Sequence, residues 1–113
     1  MIVGLLSDAA TTETLLNNLA EAEFDLHHVS VVMRDAKQRA AITEEAGPLQ
    51  GTGVDGLTQH LTQVGFSPHA ADAYAAAVRD GKVLVAIDVP EPLAAAAREM
   101  LNDHDAQLIQ RVP

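Results

Sequence analysis

The side chains in this sequence that could bind or transform a molecule are few, and their spacing sets what each can do. Five histidines raise the question of a metal site. His27 and His28 are adjacent in a stretch of strand character, so their rings point to opposite faces and do not chelate one ion. His69 and Asp72 stand three apart on a predicted helix, a pairing that permits a shared ligand and is common without one. His104 lies between Asp103 and Asp105 at a predicted helix end. Tetrahedral sites take three or four convergent ligands, and no spacing here supplies them. The histidines therefore read as surface residues, and the sequence calls for no metal and no other cofactor.

Two constellations remain. His60 lies beside Leu57, Leu61 and Val64, at the margin of an apolar helical stripe. It reads either as a ligand contact near Tyr74, in a pocket between helices and sheet, or as a partly buried histidine with one hydrogen bond. Tyr74 itself reads as a core ring whose hydroxyl reaches a polar edge. The second constellation comprises Asp8, Arg34 and Lys82, with Ser7 and Asp35 beside them. They gather at one edge because the first two strands end there and the third begins there. Carboxylates beside an arginine bind polar metabolites, or act as acid and base when a pKa is raised. The competing reading is a set of helix caps and solvated ion pairs worth little.

Other chemistries lack their residues. Without cysteine there are no disulfides, thiolate nucleophiles or cysteine-based metal centres. Gly51-Thr52-Gly53 is not followed by Lys-Ser/Thr and reads as a flexible joint, not a phosphate loop. No G-x-S-x-G elbow is present, so no catalytic residue is assigned.

These residues sit on a doubled unit. Ile2-Val3-Gly4-Leu5-Leu6 predicts a strand, followed by a helix capped by Asp8 or Thr11 with its stripe at Thr12, Leu15, Leu16 and Leu19. A second strand runs from His27 to Arg34. There Val29, Val31 and Met33 share one face and His28, Ser30 and Arg34 the other, a pattern that suits an edge strand with one half-solvated face. The same order returns late in the chain: a strand from Lys82 to Val89, a helix carrying Leu93, Ala96, Ala97, Met100 and Leu101, and a strand from Ala106 to Val112. Strand-helix-strand twice predicts an α+β, ferredoxin-like fold, with a four-stranded antiparallel sheet in the order 4-1-3-2.

Between the halves, residues about 36–81 read as an insertion into a single domain spanning 1–113. Its first part, Ala36 to Gly53, reads as a short frayed helix or a mobile loop. A helical hairpin follows. Asp55 caps the first helix, and Gly65 closes it with Phe66 folding back on Leu61 in a Schellman ending. Ser67 caps the second, with Pro68 at its first position. The first and third strands are apolar on both faces, so a second layer must cover the sheet. The inserted hairpin and a second copy of the chain are the two candidates, and a homodimer is expected.

Composition narrows the class. At 113 residues the chain is one domain with a real core. Seven Lys and Arg stand against sixteen Asp and Glu, for a formal net charge of −9, so nucleic acid and anionic membrane surfaces are excluded as partners. The start lacks the basic n-region of a signal peptide, and no apolar run approaches a membrane span. A cytoplasmic location is expected.

From Gly47-Pro48-Leu49 through Gly56-Leu57, Leu61, Gly65, Ala70, Ala73-Tyr74, Val78, Gly81 and Val83-Leu84-Val85, the chain resembles the heat-induced or general stress proteins of the YflT-like family. It departs from them in lacking a glycine-rich apolar stretch before the Gly-Pro-Leu element, and in having His104-Asp105-Ala106 where relatives carry Gly-Ala. The resemblance implies a stress-associated protein and transfers no active site. The expected function is thus a non-enzymatic stress or regulatory protein, a homodimer binding a small molecule or a protein partner. The alternative is a small dimeric α+β barrel enzyme with its pocket between helices and sheet.

Overall fold

The computed structural model describes residues 1–25, 28–34, 57–63 and 65–111, and the side chain of His60 lies outside the described residues. So do the stretch 36–53 and Asp35, Asp55, Val64 and His27, for which expectations were stated. The chain runs β1 (Ile2–Leu6), α1 (Ala9–Glu21), β2 (Val29–Val32), α2 (Leu57–Gln63), α3 (Pro68–Arg79), β3 (Val83–Ile87), α4 (Glu91–Asp103) and β4 (Gln107–Arg111). The fold is α+β, with one four-stranded sheet in the order β2-β3-β1-β4, which reads 4-1-3-2 from the opposite edge. Every pairing is antiparallel, with Gly4 opposite Val85 at the centre and Val31 opposite Val85 on the next strand. Among the described residues no helix is long and apolar enough to cross a membrane.

The apolar residues of the central strands divide by pleat. Val3, Leu5, Val32, Leu84 and Ala86 point to one face, where they pack with Leu57, Leu61, Phe66, Ala71, Tyr74, Ala75 and Val78 of the hairpin segment. Ile2, Leu6, Val29, Val31, Val83, Val85 and Ile87 point to the other, against Leu15, Leu16 and Leu19 of α1 and Ala97 and Leu101 of α4. Burying each large aliphatic side chain contributes about 2 kcal/mol, so either cluster outweighs any surface interaction in the molecule. The second cover demanded by the two-sided strands is therefore the chain's own hairpin.

That packing corrects one expectation. β2 is an edge strand, but it has no half-solvated face: all four of its residues are buried, Ser30 among them. Its alternating pattern had suggested an open side, and the hairpin layer reaches over it. The α4 stripe also narrows. Ala97 and Leu101 are buried, whereas Leu93 is 44% exposed.

Local signals account for where the helices begin and end. Asp8 is the N-cap of α1, its Oδ1 accepting from the Thr11 N–H at 2.8 Å. Ser67 caps α3, with Pro68 following where no N–H is needed. Each of the described helices ends in the same paired bonds. Phe66 N–H donates to the Leu61 carbonyl and Gly65 N–H to that of Thr62; matching pairs close α1, α3 and α4. The residue that must turn left-handed is Gly65 or Gly81 after α2 and α3, but Glu23 (φ 67°) and Asp105 (φ 60°) after α1 and α4.

Candidate binding cleft

The site begins with an irregularity in β4. Ile2 and Val3 of β1 stand opposite Arg111 and Gln110, but Leu5 stands opposite Gln107, so both Leu108 and Ile109 face Gly4. This is a β-bulge, the extra residue being absorbed by a local twist of the strand. Leu108 takes a left-handed backbone, φ 51°, and the residue is 56% exposed. Gly4 is needed beneath the bulge. A Cβ there would lie 3.3 Å from Ala106 Cβ, 3.4 Å from Leu101 Cδ1 and 3.5 Å from Ile109 Cγ1. The missing side chain leaves room for Ile109 to join the α1/α4 cluster.

On the opposite face, α3 and β4 do not close on one another. Between them lies an open cleft of about 340 Å³, with His69, Ala70, Ala73 and Tyr74 on one wall and Leu108, Ile109 and Gln110 on the other. The alanines make it wide, because their short side chains leave the space that a Leu would fill. Tyr74 anchors it. Its ring meets Phe66 edge-on at 5.3 Å and 77°, and its hydroxyl donates to the Leu108 carbonyl. Burial holds its phenol in the neutral form and pushes its pKa up to about 12. The cleft is therefore apolar in its body, with a histidine and a glutamine amide at its rim.

The sheet-edge constellation is assembled by backbone and dispersed by side chain. Leu6 pairs with Val83 and Val32 with Leu84, so Asp8, Arg34 and Lys82 do arise at one end of the sheet. The Asp8 carboxylate caps α1, and its hydrogen bonds from Thr11 hold its pKa below the ordinary carboxylate value. Arg34 Nη1 donates to the Arg79 carbonyl at 3.2 Å, at the C-terminus of α3 where positive charge is favoured. Lys82 Nζ donates to Gln107 Oε1 at 3.2 Å. Each group serves a different neighbour. Tyr74 is a buried core ring that contributes to the cleft wall, its hydroxyl on the Leu108 carbonyl, and His60, expected beside it, is outside the described side chains.

The remaining polar groups hold elements together. His104 links α1 and α4, its Nδ1–H donating to the Met100 carbonyl at 2.7 Å and its Nε2 accepting from Asn18 Nδ2 at 2.8 Å. Arg111 pairs with Glu91 across the β4 end. Among the described residues no three metal-binding side chains converge. Sequence reasoning missed His69, Ala70, Ala73, Leu108, Ile109 and Gln110 as cleft residues. The one available signal was Leu108-Ile109, adjacent apolar residues in a polar strand, which alternation cannot place on one face. In comparisons with family models, with curated proteins and with solved structures, no match to this chain was found.

Proposed function

We propose that the chain is a non-enzymatic, stress-associated regulatory protein that binds a small molecule in the α3–β4 cleft. The cleft itself carries this reading: a mainly apolar hollow of about 340 Å³, kept open by Ala70 and Ala73 and lined also by Tyr74, Leu108 and Ile109, with His69 and Gln110 as its other polar side chains. The ligand class that fits has a compact apolar body and a single polar group, placed to meet His69 or the Gln110 amide. The Tyr74 hydroxyl, already bonded to the Leu108 carbonyl, serves the wall. The resemblance to general stress proteins supplies the physiological setting, and the doubled strand-helix-strand unit supports a single ferredoxin-like domain with residues about 36–81 inserted.

The two-sided apolar strands also suggest a homodimer. Because the hairpin covers the second face, assembly has to rest on other surfaces, of which Leu93 and Leu108 are the large exposed apolar residues among those described. The dimeric barrel alternative loses ground for the same reason: it needs a sheet face free to pack on a second sheet.

The neutral dye N-phenyl-1-naphthylamine, which the net charge of the protein does not repel, is a suitable probe. Its fluorescence is expected to rise with the wild-type protein and to lose most of that rise with Ala73→Phe, which fills the cleft from an exposed helix position. An equal rise with both proteins, or none with either, refutes the proposal.

A further inference from the structure

The β4 bulge and the cleft beside it have complementary shapes. Gln110, opposite Val3, lies on the hairpin face and lines the cleft, and Leu5 lies on that face too. Paired residues share a face. Were the Val3–Gln110 register continued without the bulge, Ile109 would keep its place opposite Gly4 and Leu108 would fall opposite Leu5. Its side chain would then enter the space between Ala70, Ala73 and Tyr74. The cleft has the position, the lining and more than the volume required to seat Leu108.

We infer that β4 is a gate: it slips by one residue against β1, so that Leu108 either stands out over an open cleft or fills it. The observed state is the open one. It carries a left-handed leucine and an exposed apolar side chain, both unfavourable. It is held by the Tyr74 hydroxyl on the Leu108 carbonyl and by Lys82 on Gln107. The closed state relaxes the backbone and buries Leu108, at the loss of both bonds. Gln107 moves by about 3.3 Å, one residue along the strand, to stand opposite Leu6. The turn from Asp103 to Ala106, already left-handed at Asp105, takes up the slack. Relief of strain and burial of Leu108 on one side and two hydrogen bonds on the other are of similar size, which is the condition for two populated states. An apolar ligand in the cleft occupies the seat of Leu108 and holds the gate open.

The meaning of the gate rests on the cleft being a binding site, but the slip does not, so the test uses the protein without ligand. Methyl-labelled leucines, followed by NMR exchange spectroscopy, are expected to show a minor state in which the Leu108 methyls contact Leu5 and the Tyr74 ring. Tyr74→Phe removes one bond of the open state and raises the minor population about fivefold. Leu108→Gly removes both the strain and the plug, and abolishes exchange in the amides of residues 107–110. A single state in both wild type and Tyr74→Phe overturns the gate, as does exchange that persists in Leu108→Gly. Dye binding without exchange retains the site and rejects the gate, whereas exchange without dye binding does the reverse.

Discussion

Replacing Glu23 by glycine is expected to stabilise the protein, against the general rule that glycine weakens a fold. Glu23 follows α1 at φ 67°, in the position that Gly65 (φ 122°) and Gly81 (φ 104°) occupy after α2 and α3. A side chain in the left-handed region costs about 1–2 kcal/mol, and the extra freedom of glycine in the unfolded chain returns about 0.5–1. The net gain is about 0.5–1 kcal/mol. An unfolding entropy of about 0.24 kcal/mol/K for a domain of this length turns that into a rise in Tm of about 2–4 °C. Glu23→Gln is the control, because it removes the same negative charge from the helix C-terminus and leaves the backbone cost in place. The mirror experiment is Gly81→Ala. A Cβ there meets nothing closer than the Arg34 guanidinium at 3.6 Å, so space is available and the cost is in the backbone. It should lower Tm by about 4 °C or more. Thermal unfolding followed by circular dichroism reads all three. The reasoning fails if Glu23→Gly is no more stable than Glu23→Gln, or if Gly81→Ala is neutral.

Two further predictions concern pH. Tyr74 is the only tyrosine, so the absorbance at 295 nm follows it alone. Its folded pKa of about 12 lies above the ordinary 10.0, so the stability it contributes is complete below pH 10.0 and is lost as pH rises toward 12. Tyr74→Phe should flatten the stability curve over that window, and a folded-state midpoint near 10 would contradict the burial of the phenol. At the acid end, Asp8 is held below the ordinary value of 3.8 by its Thr11 hydrogen bonds, so its contribution is present above 3.8 and lost as pH falls through the lower folded value. Asp8→Asn keeps a capping oxygen without the charge; urea unfolding should show it losing less stability than wild type between pH 4 and pH 2, and parallel curves would count against the cap.

The elements were legible where the pattern had one interpretation. Thr12, Leu15, Leu16 and Leu19 recur at helical spacing and all are buried, and Ser67-Pro68 marks the start of α3 by chemistry that no other position in a helix tolerates. Gly65 and Phe66 announced the end of α2 for the same kind of reason. The layer over β2 was not legible, because an alternating strand looks alike whether its polar face meets water or, as at Ser30, a second helical layer. Nor was the cleft. It depends on a strand being one residue out of step and on Ala70 and Ala73 leaving space between two elements far apart in sequence, and neither property belongs to any local pattern. The edge residues Asp8, Arg34 and Lys82 show the opposite limit. Topology placed their backbones together, but where each side chain turned was decided by the nearest unpaired group: a helix N-terminus for Asp8, a helix C-terminus for Arg34 and the Gln107 amide for Lys82.

The central claim is that binding occurs between α3 and β4. It is tested most directly by titrating the ¹⁵N-labelled protein with N-phenyl-1-naphthylamine and mapping the amide shifts. Saturable changes are expected, concentrated at His69 to Tyr74 and at Gln107 to Gln110. Changes centred instead on Asp8, Arg34 and Lys82, or spread evenly over the sheet, would contradict it.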